Sequence, residues 1–196
     1  GFPPETYRLA WHAPGSPALA AHVQALLASA RIASTLNDSR GLDHGTFVPL
    51  SIPYPAPNFP IAQLSLRTGL DPAEHIALGH ALLSLREENI LIVGSGMSYH
   101  NLRAFGAAMS GNRREQVLHD SKVFDEWLAE TVLCDSVERA QRLIDWRSAP
   151  AAKACHPREE HLLPLMVVAG AGGSDAATLP FRDVLMGAHV MAVHFG

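Results

Sequence analysis

Three short segments of this 196-residue chain gather residue types that move protons or hold metal ions. The first is Gly41-Leu42-Asp43-His44-Gly45, where a glycine-flanked histidine sits in a tight turn that a ligand can approach closely. Imidazole titrates near neutral pH, so His44 is a candidate acid–base group that Asp43 could orient; the plainer alternative is a turn with an exposed histidine. The second segment, Gly94-Ser95-Gly96-Met97-Ser98-Tyr99-His100-Asn101, follows a strand-like run, and ligands of open α/β sheets bind beyond the carboxyl ends of strands. His100 lies there, unless it only starts and caps the next helix. The third, His156-Pro157-Arg158-Glu159-Glu160-His161, combines imidazole with carboxylate, the donor chemistry of non-haem iron. The helix dipole alone would explain Glu159 and Glu160 in a first helical turn, and a core-edge hydrogen bond would explain His161.

Other signatures fail. Tyr99 stands where a dinucleotide loop needs its third glycine, and Gly170-Ala171-Gly172-Gly173 fails the same test at Asp175. There is no phosphate loop, no G-x-S-x-G elbow and no H-E-x-x-H pair. His75 and His80, five residues apart, do not share a helix face. With His12, His22 and His119 they read as surface residues, and His189 and His194 as packing on a late strand. Arg113 and Arg114 read as a solvated loop.

The elements that must position these segments follow from periodicity and caps. A helix is predicted over 18–30, capped by Ser16 with Pro17 at its first position, and another over 71–88, capped by Asp71 ahead of Pro72. Five prolines make 47–60 irregular. Ile61–Leu66 and the apolar run Ile90-Leu91-Ile92-Val93 read as strands, the second buried on both faces. Further helices are predicted in part of 101–118 and over 121–133 and 137–146, with another beginning at Pro157; strands follow over 179–184 and 188–195. Strand–helix–strand order from 61 to 93 implies an α/β fold with a central, mostly parallel sheet flanked by helices on both faces. No linker divides the chain, so a single domain over 1–196 is expected.

Composition removes whole classes of function. With 15 basic and 19 acidic residues the net charge is −4, which is no footprint for nucleic acid. At 47% hydrophobic and 17% charged, the chain can bury a core, yet no apolar run reaches the roughly 18 residues of a membrane span. Two cysteines, Cys134 and Cys155, make no disulfide framework and fit a reducing cytoplasm.

Taken in order, Gly41-Leu42-Asp43-His44-Gly45, Val48-Pro49-Leu50, Pro60-Ile61-Ala62-Gln63-Leu64-Ser65-Leu66, Gly94-Ser95-Gly96 with His100-Asn101-Leu102, and Glu160-His161-Leu162-Leu163-Pro164-Leu165 resemble the class III extradiol ring-cleavage dioxygenases, and within them the DOPA dioxygenase-like branch. The resemblance covers nearly the whole chain. It implies an iron(II) enzyme, with zinc as a substitute in purified protein, acting on a small catechol and dioxygen. Carried over, His161 and His100 match metal-ligand positions, Glu160 is the rival of His161, and His100 and His44 match acid–base or neighbouring histidines. Members of the family carry further residues, with two more metal-binding histidines, before the Gly-Phe-Pro that opens this chain. The resemblance therefore implies that the N-terminal portion of the catalytic domain is lacking. Two alternatives remain open: a catalytically inactive metal- or ligand-binding relative, and a zinc-dependent hydrolase.

Overall fold

The computed structural model describes residues 3–8 and 10–196, so the opening Gly1-Phe2 lies outside it. The chain forms two compact units, residues 1–65 and 66–196.

The first unit holds a 3-10 turn, Pro4–Arg8, and helices α1 (Pro17–Ser29) and α2 (His44–Ser51). α1 begins as predicted: Ser16 Oγ accepts from the Leu19 amide at 3.2 Å, and Pro17 supplies the first position, where no amide is needed. A single parallel bridge joins Gly15 to Ile61.

The second unit contains α3 (Pro72–Ala81), a 3-10 stretch Leu83–Glu88, α4 (Leu102–Met109), α5 (Arg114–Leu133), α6 (Ser136–Ile144), a short α7 (Ala152–Cys155) and α8 (Leu163–Ala171). The strands β1 (Ala177–Leu185) and β2 (Ala188–Phe195) then pair antiparallel across the two-residue turn Met186-Gly187, both at positive φ as a tight hairpin requires. Leu128, Val132, Leu143, Trp146, Leu163, Met166 and Ala188 form the fully buried centre, with α5 against β2 and α3 against α8. The α3–α8 crossing brings backbones together: a Cβ on Gly79 would overlap the Val167 carbonyl, and one on Gly170 the Ile76 carbonyl. At the C-terminal end, buried Arg139 donates to the carbonyls of Gly173 (2.8 Å) and Asp175 (3.1 Å) and lies over the Phe195 ring. No helix among the described residues is long and apolar enough to cross a membrane.

The chain is a mixed helix-and-strand protein, but the expected central parallel sheet is not among the described residues: the one ladder is the β1–β2 hairpin. Ile61 makes only its bridge, and Ile90–Val93 lies outside any ladder. An unbroken apolar run signals a strand only where neighbouring strands and two covering layers exist, whereas here Leu91 is 80% and Val93 54% exposed. The predicted 71–88 helix divides after Ala81 into an α-turn and a 3-10 stretch that ends on Asn89 in the left-handed region. α5 starts at Arg114, not Ser121, because its first two turns are largely polar and carry little periodic signal. His75 is fully buried rather than on the surface. Its Nδ1 lies 2.6 Å from the Asp71 carbonyl, and the Arg67 amide donates to its Nε2 at 3.2 Å, so both ring nitrogens are satisfied.

Candidate active site

His44 is the first residue of α2 and is exposed. Asp43 does not orient its ring; as the N-cap, Asp43 accepts from the Thr46 amide through Oδ1 and from Gln63 Nε2 through Oδ2. Gln63 Oε1 in turn accepts from the Asp43 amide at 3.0 Å and the Thr46 hydroxyl at 2.7 Å. The Asp-His-Gly segment is thus a helix start whose aspartate serves the Thr46 amide and the Gln63 side chain, with the His44 imidazole exposed.

In the second unit, segments 94–101 and 154–164 are laced together. The Met97 amide donates to the His161 carbonyl (2.9 Å), the His100 amide to the Cys155 carbonyl (3.1 Å) and Asn101 Nδ2 to the Ala154 carbonyl (2.8 Å). Asn101 Oδ1 also caps α4 at the Ala104 amide, so one side chain starts a helix and anchors the turn before it. Such close apposition explains the glycines. A Cβ on Gly94 would stand 2.7 Å from the Pro164 carbonyl oxygen, and one on Gly96 would overlap the His161 carbonyl. Gly96→Ala is therefore expected to cost about 1–3 kcal/mol, as overpacking does, and to push His161 away from its partner. Thermal unfolding together with the histidine ring NMR signals checks this, and an unchanged melting temperature would contradict it.

The lacing brings three of the candidate residues to one place. The rings of His100 and His161 lie face to face, with centroids 3.4 Å apart and planes 13° apart. Glu160 Oε1 is 3.9 Å from His161 Nδ1, and Arg158 Nε is 3.4 Å from Glu160 Oε2. Burial lowers the pKa of His100, and the nearby Glu160 charge opposes that shift without cancelling it. Tyr99, buried edge-on against Phe105, has its phenol pushed up to about 12 by burial, so it stays protonated.

Glu160 and His161 do not lie in the first turns of a helix beginning at Pro157. That stretch is a run of bends, and α8 starts only at Leu163. Glu159 explains the delay: it is buried, bridged by Arg147 and Lys153, and its carbonyl accepts from the amides of Leu162 and Leu163. An ion pair, not the helix dipole, accounts for this carboxylate. His156 is fully buried too, with Nε2 2.9 Å from the Ser98 carbonyl and its pKa driven down to about 4, chiefly by burial. Spacing alone did not single it out from its neighbours. The available signal was a histidine directly after an apolar helix end and before proline, where a side chain turns inward.

The donor types at this place, imidazole nitrogen and carboxylate oxygen, suit a ferrous ion. Their arrangement does not complete a shell: among the described residues no three His, Cys, Asp or Glu side chains are grouped to hold an ion. Two stacked imidazoles direct their ring-plane lone pairs alongside each other and do not bring them to one point.

Comparison with known proteins places this geometry in context. The family described as the catalytic LigB subunit of aromatic ring-opening dioxygenase matches residues 4–193. A dioxygenase of Hapsidospora irregularis is 38% identical over 100% of this chain and 62% of its own length. The 4,5-DOPA dioxygenase extradiol of Beta vulgaris is 38% identical over 90% of this chain and 63% of its own. This chain thus spans somewhat under two thirds of those two relatives. A crystal structure of an uncharacterized protein from Escherichia coli K12 superposes with a TM-score of 0.81 at 30% identity, covering 97% of this chain and 77% of that one.

Proposed function

Because this chain belongs to the family of catalytic LigB subunits of aromatic ring-opening dioxygenases, we propose that it forms part of the catalytic domain of a non-haem iron(II) extradiol dioxygenase that opens a DOPA-like catechol with dioxygen. The observation that carries the reading is the family match over residues 4–193; His100, His161 and Glu160 add the fitting donor types at the joint of two segments locked by backbone hydrogen bonds. Held by donors such as His100, His161 and Glu160, a ferrous ion would supply Lewis acidity toward catechol hydroxyls and one-electron chemistry toward dioxygen. On this reading His161 and His100 are the imidazole donors, and Glu160 is the carboxylate that competes with His161. His100 serves either as a donor or as the base that takes a hydroxyl proton, and an unprotonated ring nitrogen suits both roles. The reaction places both atoms of dioxygen across the carbon–carbon bond next to the hydroxyl pair, yielding a carboxylate and an aldehyde. Zinc on the same donors would not open the ring, because it does not change oxidation state. The free thiols of Cys134 and Cys155 fit the cytoplasm proposed for the enzyme.

Anaerobic loading with ferrous ion, followed by DOPA and air, tests the reading. The expected result is a yellow semialdehyde formed with matching oxygen uptake. Oxygen-independent hydrolysis with zinc, or ligand binding without turnover, would replace it with one of the two alternatives. His44 is proposed as the further acid–base histidine. His44→Ala is expected to lower kcat by about 10²–10⁴-fold, the range of general acid–base catalysis, and an unchanged rate would remove that role.

A further inference from the structure

The His100 turn has one anchor that the proposed reaction does not use. Ser98 is held at two atoms: its Oγ accepts from the Met191 amide of β2 at 2.9 Å, and its carbonyl oxygen lies 2.9 Å from Nε2 of His156. A carbonyl only accepts, so the proton of His156 must be on Nε2. The opposite nitrogen, Nδ1, is buried with no hydrogen-bond partner among the described residues. The ring packs between Phe124, 5.3 Å away, and the edge of Trp146, 6.0 Å away. A second proton on Nδ1 would put an unsatisfied N–H into that apolar wall. The side chain is thus confined to one tautomer with one directed bond, and that bond ends two residues before His100.

We propose that His156 is a positioning residue whose Nε2–H, tied to the Ser98 carbonyl, holds the Ser98-Tyr99-His100 turn so that the His100 ring lies against His161. The assignment rests on the reading above only in giving His100 a part in the reaction. The other ties of the turn, at Cys155, Ala154 and Met191, fix its backbone ends and the Ser98 hydroxyl. Among the described residues, His156 is the group seen to hold the Ser98 carbonyl, and with it the peptide plane that sets the direction of the next two residues. Losing that tie should loosen the turn without unfolding it.

Two variants separate the hydrogen bond from the bulk. His156→Phe keeps a ring in the pocket and removes the donor, whereas His156→Gln keeps an N–H near the place of Nε2. Histidine ring NMR on the whole protein reads the geometry without reference to activity. The wild type should show the Nε2–H tautomer for His156. The His100 and His161 ring signals should shift in His156→Phe and return in His156→Gln. With ferrous ion and DOPA, kcat should fall about 10- to 100-fold in His156→Phe with KM little changed, the scale of a catalytic group displaced by about an ångström. His156→Gln should recover most of that loss. The proton found on Nδ1, His100 signals unmoved in His156→Phe, or His156→Gln matching His156→Phe at equal melting temperature would each overturn the proposal. If the wild type opens no catechol while the His100 signals still move and recover, the positioning role stands and the dioxygenase reading fails.

Discussion

His100→Gln should reduce oxygen-dependent catechol opening by about 10²–10⁴-fold while the protein remains folded. Glutamine fills nearly the same volume and can hydrogen-bond, but it neither accepts a proton near neutral pH nor offers an imidazole nitrogen to a metal. The loss is expected mainly in kcat, since in the proposed reaction His100 would act on the reacting hydroxyl and not on the rest of the substrate. It is also expected to change the pH profile: the wild-type rate should fall on the acid side as His100 gains a proton, and that limb should disappear from whatever rate remains. Oxygen uptake across pH, with circular dichroism to confirm folding, reads both effects. A rate within a few-fold of wild type would show that His161 and Glu160 do not need the ring beside them.

The second large effect is acid lability. His156 titrates near 4 in the folded chain, against 6.5 for an ordinary histidine, because it is fully buried. Between those values the unfolded chain binds the proton and the folded chain does not, so stability rises with pH through this window. The contribution is complete above about pH 6.5, is lost progressively as the pH falls to about 4, and amounts to about 3 kcal/mol. The groups facing His156 modulate it in opposite directions: His100 and His161 disfavour its protonation, and Glu160 favours it. His100, also lowered by burial, adds loss of the same sign. Urea unfolding at pH 7.5, 5.5 and 4 should show this fall in the wild type and a flatter curve in His156→Gln. Equal slopes would place the acid sensitivity elsewhere.

What could be read from the residues alone depended on whether the cause was local. Ser16 and Asp71 act within a few residues, and the helices they cap begin where the pattern placed them. Two of the three chemical segments were legible for the same reason, since a glycine turn beside histidine is a local signature, and the third through its run of histidine and glutamate. His75 and His156 were not, because a helix face or a bend becomes interior only through what packs on it, here the α3–α8 crossing and the Phe124–Trp146 wall. Glu159 looked like a dipole residue until Arg147 and Lys153, from earlier parts of the chain, were seen to meet it. The stacking of His100 on His161 depends on contacts made across about sixty residues of sequence, which no short-range pattern contains.

The apolar run Ile90–Val93 governs how the protein behaves in the tube. With Leu91 and Val93 facing solvent and no ladder formed, it is an adhesive border of oily side chains. Concentrated samples should clump along this border, clouding with time and with added salt. Leu91→Lys should keep the solution clear at concentrations that make the parent protein opalescent, since a charge within an exposed apolar run is a usual guard against self-association.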